Sequence, residues 1–157
     1  MLAELILACA FAASDPAAEG FTMENEGLRL HAYADSRGIA TIGYGHRLRP
    51  GELTTMNLAD ADRCFQRDYA EARVAVARLT TGQLPRLVEV VLVDMAFNLG
   101  ERGLSRFKLL LAAIARRDYK TAATELWLSH YALQCPHRVE RLCALLNRAA
   151  EKESDAR

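Results

Sequence analysis

Two carboxylates, Glu26 and Asp35, stand nine residues apart in the glycine-punctuated stretch "ENEGLRLHAYADSRGIATIGYGH", which also holds Thr41. A carboxyl group at the end of a buried helix lies near the helix's negative pole and is partly stripped of water, and both effects favour its protonated form. A carboxyl group in a polar, turn-rich stretch stays ionised. Two such groups can hydrolyse a glycosidic bond: one gives a proton to the leaving oxygen, while the other assists a water or stabilises developing positive charge. The pair alone is not diagnostic, because 20 Asp and Glu in 157 residues supply many pairs at this spacing, most of them on the surface. Thr41 on its own is an ordinary β-branched strand residue. Imidazole as a side-chain type changes charge near neutrality, which makes His46 a further candidate. His130, Cys135, His137 and Cys143 fit no zinc-binding spacing, and the four cysteines, with no CxxC pair, read as reduced thiols.

These residues need elements to hold them, and the sequence marks most of those elements. Asp15 and Pro16 read as cap and first residue of a helix ending near Glu26, with Gly27 as its stop. From 28 to 46, β-branched and aromatic residues alternate with Gly38, Gly43 and Gly45, which predicts a small antiparallel sheet with tight turns. Arg49-Pro50-Gly51 makes a turn, Thr54 or Thr55 can cap the next helix, and Leu58, Ala61, Phe65, Ala72, Val76 and Leu79 recur with helical period. After Thr80, Thr81 and Gly82, the segment "RLVEVVLVDMAFNLG" is apolar on every side, as befits a helix buried all round. Gly100 and Gly103 end it, Ser105 can cap a helix bearing Phe107, Leu110, Leu111 and Ile114, and two more helices follow at about 118–129 and from Pro136. The expected fold is mostly helical α+β: a small sheet-bearing lobe at about 15–53, a connecting helix at about 54–80, and a helical lobe at about 81–150 packed around residues 86–99.

With 20 basic and 20 acidic residues the chain has no net charge, so no long-range field draws it to nucleic acid or an anionic membrane. Residues 1–80 carry 8 basic and 11 acidic side chains and the remainder 12 and 9, so an anionic partner meets the second half more favourably. No apolar run approaches the ~20 residues of a membrane span. Residues 1–14 form an extension whose apolar stretch over 5–13 resembles a signal-peptide core but lacks a basic flank and carries Glu4. The plainer reading is an amphipathic helix with Leu2, Leu5, Ile6 and Cys9 on one face. The tail "EKESDAR" reads as frayed.

The string over residues 24–46 closely resembles the phage-type lysozymes, glycoside hydrolase family 24, whose motif E-G-L-R-L-x-x-Y-x-D-x-x-G-x-x-T-I-G-x-G-H holds a catalytic Glu, Asp and Thr. "DMAFNLGERGLSRF" and "LSHYALQCPHRVERL" resemble the family's central helix and a later cleft segment, so the likeness spans about residues 16–148. It implies a lysozyme-like two-lobed fold, Glu26 as general acid, Asp35 as second carboxylate and Thr41 as the hydroxyl that positions water. It also implies an inverting reaction, with the carboxyls roughly 6.5–9.5 Å apart. Phe97, Asn98, Tyr131 and Arg138 match substrate-binding positions of the cleft. Arg138 is also the arginine the family pairs with its acid, which opposes the protonation that burial favours. Arg141 matches a second cleft-side arginine, and Leu110 and Glu125 match contact positions but differ in type from the Ser and Asn common there. His46 is implied to pair with Asp68 as a structural ion pair.

The resemblance further implies a muramidase acting on bacterial peptidoglycan, a monomer needing no cofactor or metal, with no nucleic-acid partner and no stable membrane insertion. The default setting is an endolysin held in the host bacterial cytoplasm until a separate pore releases it to the wall; tail-associated and secreted antibacterial enzymes share the chemistry. A non-catalytic glycan-binding module and a lytic transglycosylase are the rival readings. The complete Glu26, Asp35, Thr41 set weighs against both, and the missing positive charge favours the binding module.

Overall fold

In the computed structural model, which describes residues 15–35 and 38–156, the chain runs α1 (Pro16–Glu26), β1 (Arg29–Ala34), β2 (Ala40–Gly43), β3 (His46–Arg47), α2 (Leu58–Leu79), α3 (Arg86–Leu104), α4 (Lys108–Ala115), α5 (Tyr119–Trp127), α6 (His130–Gln134) and α7 (Pro136–Asp155). This is the mostly helical α+β arrangement with a small antiparallel sheet expected from the sequence. The reading of residues 1–14 as an extension, helical or otherwise, lies outside the described residues.

The sheet is antiparallel in the order β1-β2-β3, pairing Tyr33 with Thr41 and Thr41 with Arg47. Its second hairpin turns on Tyr44-Gly45, where Gly45 has φ 81°, a left-handed conformation that a side chain disfavours. On the other edge, Thr54 O accepts from Ala32 N at 2.8 Å and Met56 N donates to Leu30 O at 3.0 Å, so residues 54–56 belong to the sheet. Neither Thr54 nor Thr55 is therefore free to start a helix. Asn57 caps α2 instead, its side chain accepting from Asp60 N at 2.9 Å.

The core lies mainly between α2, α3, α5 and α7. Every residue from Val90 to Ala96 is buried, so α3 is enclosed as its all-round apolar sequence requires. It breaks helical geometry at Gly100 (φ 72°, ψ 168°) and runs one further turn to Leu104. Ser105 closes that turn, its hydroxyl donating to Arg102 O at 2.9 Å, and does not cap α4. Two further differences concern helix ends. The helix expected over 118–129 stops at Trp127, and Ser129 precedes the separate short α6. The tail expected to fray is helical through Asp155, because Ala149 and Ala150 are buried and Arg117 holds Glu153 at 3.0 Å. Among the described residues no helix is long and apolar enough to cross a membrane.

Candidate active site

Glu26 is the last residue of α1, placed there from both ends of the helix. At the start, Asp15 accepts from Ala18 N at 3.2 Å and takes two 2.7 Å bonds from Arg86, which ties the helix to α3. At the end, Gly27 (φ 70°) turns the chain out of helical geometry. The Glu26 side chain is 12% exposed, and its Oε1 receives Arg138 Nη1 at 2.7 Å and Asn98 Nδ2 at 3.3 Å. Asn98 is oriented in turn by Tyr131, whose hydroxyl donates to Asn98 Oδ1 at 3.2 Å. The β2–β3 turn closes the other side: a Cβ on Gly45 would stand 2.7 Å from Glu26 Oε2, so only glycine allows this approach.

Behind Glu26 lies a polar network between α1, α3 and α7, buried at Arg138 and Asp94 and exposed at its Arg141–Glu24 end. Arg138 points Nη1 at Glu26 and spends the rest of its guanidinium on Asp94: Nε donates to Oδ2 at 2.7 Å, and Nη2 to Oδ1 at 3.0 Å. Burial pulls the Arg138 guanidinium down, but the adjacent Asp94 carboxylate, and then Glu26, outweigh it and raise its pKa overall, so it stays charged. Asn25 donates to Asp94 Oδ1 at 3.0 Å and accepts from Arg141 Nη1 at 2.6 Å, and Arg141 also holds Glu24 at 2.7 Å. Sequence reading missed Asp94 and Asn25. The signal for Asp94 was present, since a lone carboxylate inside a helix buried all round must find a cation or a set of donors.

Asp35 follows β1 in a tight loop. Its backbone N donates to Ile39 O at 2.9 Å, and its Oδ1 accepts from Ile39 N at 2.8 Å, so the turn is pinned by the carboxylate itself. Thr41, on β2, is buried and donates its hydroxyl proton to Ile39 O at 2.9 Å, which leaves its oxygen lone pairs as acceptors. Glu26, Asp35 and Thr41 all line one cleft of about 1360 Å³, together with Phe97, Asn98 and Tyr131.

The other expected positions are distributed unevenly. Arg138 is not among the cleft-lining side chains and is committed to Glu26 and Asp94. Phe97 leans on Phe65 and Tyr69, with ring centroids at 5.3 and 6.4 Å, so it is partly core. Tyr131 is 4% exposed and meets Phe107 edge-on, which leaves little of its ring as a sugar platform. Leu110 and Glu125 line a separate groove of about 350 Å³ that reaches Tyr131 from the other side.

His46 is paired with Asp68 (Nδ1 to Oδ2, 2.7 Å), as the resemblance implied, and its Nε2 also meets Glu52 at 3.1 Å, a partner sequence reading missed. Glu52 accepts from Arg49 N, and that bond, followed by the His46 ring, holds its carboxyl below the usual range. Among the described residues no three His, Cys, Asp or Glu side chains gather to hold a metal. His137 is solvent-exposed beside Glu140, while Cys143 is buried with its sulfur on Ala123 O at 3.4 Å.

A small sheet, a long helix and a helical lobe thus surround one cleft that holds two carboxylates and a threonine. Residues 23–152 match the profile of the phage lysozyme family. The chain is 24% identical to probable T4-type lysozyme 2 of Dictyostelium discoideum, over 82% of this chain and 92% of that protein. It is 22% identical to probable T4-type lysozyme 1 of the same organism, over 78% and 88% respectively. It also resembles the pre-baseplate central spike protein Gp5 of Enterobacteria phage T4 at 27% identity, over 66% of this chain and 23% of that protein. With its site motif, its fold and most of its length accounted for in one family, the chain belongs to the phage lysozymes.

Proposed function

We propose that the protein is a muramidase that hydrolyses the β-1,4 bond between N-acetylmuramic acid and N-acetylglucosamine in bacterial peptidoglycan, by single displacement with inversion. The observation that carries this reading is the placement of Glu26, Asp35 and Thr41 on one cleft, with Glu26 nearly buried and walled by Arg138, Asn98 and Gly45. Glu26 donates its proton to the glycosidic oxygen as the bond from C1 breaks. A water on the opposite face of the sugar attacks C1 and passes a proton to Asp35. Thr41, with its own proton engaged on Ile39 O, accepts a hydrogen bond from that water and fixes its direction. Phe97 and Asn98 offer the sugar an apolar surface and an amide. The setting we propose is a monomeric endolysin, cytoplasmic until released to the wall.

The test is digestion of purified peptidoglycan by the wild type and by Glu26→Gln, with products read by mass spectrometry and by NMR of the new anomeric centre. Reducing ends of inverted configuration from the wild type, falling at least a hundredfold in a folded Glu26→Gln protein, are the expected result. Anhydro products would mean a transglycosylase. Retained wall binding without cleavage would mean a recognition module.

A further inference from the structure

Asp94 is fully buried on α3 and touches neither the cleft nor solvent. Its two oxygens face only donors: Arg138 Nε at 2.7 Å, Arg138 Nη2 at 3.0 Å and Asn25 Nδ2 at 3.0 Å. These are the contacts of a carboxylate, which accepts hydrogen bonds and has none to give. Arg138 therefore sits between two carboxyls, with Asp94 on one edge of the guanidinium and Glu26 on the remaining nitrogen at 2.7 Å.

That arrangement bears on the chemistry. A general acid must hold a proton, whereas an unopposed guanidinium against a nearly buried carboxyl favours the ionised form. The charges of Arg138 and Asp94 cancel. We propose that Asp94 is a positioning residue for the glycosidase reaction: it aims Arg138 Nη1 at Glu26 and neutralises it, so that Glu26 is oriented by a hydrogen bond yet still able to carry the proton it donates. The proposal rests on the muramidase reading for its catalytic meaning, but its charge balance is testable without activity.

The other groups around Glu26 do not supply this balance. From α3 comes neutral Asn98, from α6 the Tyr131 phenol, and from β1 the Tyr33 phenol. Burial raises the pKa of both phenols, so each is neutral through the working range. Arg29 is stacked on the Tyr33 ring at 4.4 Å, and Arg141 is matched by Glu24 at 2.7 Å. Asp35 lines the same cleft as Glu26 and is itself acidic, so it is no counter-charge to Arg138. Asp94 is the counter-charge bonded directly to Arg138 from behind.

The deciding experiment follows the carboxyl carbon of Glu26 by 13C NMR through a pH titration, assigned by its loss in Glu26→Gln, in the wild type, in Asp94→Asn and in Asp94→Asn/Arg138→Gln. The isosteric Asp94→Asn change should lower the Glu26 midpoint by about one pH unit or more. The high-pH limb of peptidoglycan hydrolysis should move down with it, giving about a tenfold loss above the limb that lessens on acidification. The double variant, which removes the guanidinium and its counter-charge together, should return the midpoint to the wild-type value or above. An unmoved or raised midpoint in Asp94→Asn, or a pH-independent loss of activity, overturns the proposal in favour of a purely structural role. If Asp94→Asn does not fold, Arg138→Gln is set against the double variant: the single change leaves Asp94 unopposed and should put the Glu26 midpoint above that of the double variant, and equal midpoints overturn the proposal. A wild type that releases no reducing ends defeats the muramidase reading, while the titration still judges the charge balance.

Discussion

At the scale of single residues, the site depends on a close approach as much as on charge. Gly45 has a left-handed backbone and lies where a methyl group would overlap the Glu26 carboxyl, its nearest atom being Oε2 at 2.7 Å. Gly45→Ala therefore strains the turn and pushes Glu26 off its bonds to Arg138 and Asn98. The expected result is a loss of about 1–3 kcal/mol in urea unfolding and a fall in hydrolytic rate well beyond what that instability explains. Gly51, with φ 90° but nothing within 4 Å, is the control: the same substitution there should cost stability without touching the chemistry.

At the scale of elements, α1 carries Glu26 and is fastened at its far end by Asp15. The Arg86 side chain holds the Asp15 carboxyl down at about 2, against an ordinary 3.8. A depressed carboxyl stabilises the fold fully above its unfolded pKa and loses that contribution as pH falls through the folded one. The Asp15 contribution should therefore be complete above about pH 4 and disappear between about 4 and 2. Asp15→Asn keeps the cap and removes the charge, so its stability deficit should vanish at low pH. Asp15→Ala also removes the cap and should cost about 1 kcal/mol at every pH. The charge part is small, because the Asp15 side chain is 36% exposed and Arg86 61%. Urea titrations of both variants at pH 7 and pH 2.5 check the sign. α3 presents the opposite case: Leu92 is fully buried in an enclosed helix, and Leu92→Ala should cost about 2–5 kcal/mol by the same assay.

At the scale of the whole molecule, zero net charge sets the terms of encounter with the wall. Without a long-range field, the rate of peptidoglycan digestion should change less than about threefold between 20 and 200 mM salt. A steep fall with salt would instead identify a local basic face as the wall-binding surface. The same scale explains the pattern of pairing in the network behind the cleft. Glu24 and Asn25 of α1, Asp94 of α3, and Arg138 and Arg141 of α7 are joined by hydrogen bonds across more than 40 positions of sequence, so the residues that hold Glu26 are assembled only when the helices pack.

The order of elements and the sheet were legible because they depend on local rules, glycine where φ is positive and apolar period for helices, and Glu26, Asp35 and Thr41 stood out as candidates because their motif is confined to 23 consecutive residues. The enclosure of α3 was legible for the same reason. Local rules failed where a distant segment competed for the same groups. Thr54 and Thr55 look like caps until β1 takes their backbone, and the tail looks frayed until Ala149 and Ala150 find the core. Tyr131 matches a cleft position in the sequence, but only packing shows that its ring is buried and its hydroxyl turned to Asn98. Asp94 and Glu52 escaped notice because a carboxylate's meaning lies in its partners. Sequence by itself determined which groups could do the chemistry; tertiary packing decided which charges face them, since desolvation and Coulomb interactions act through space and not along the chain.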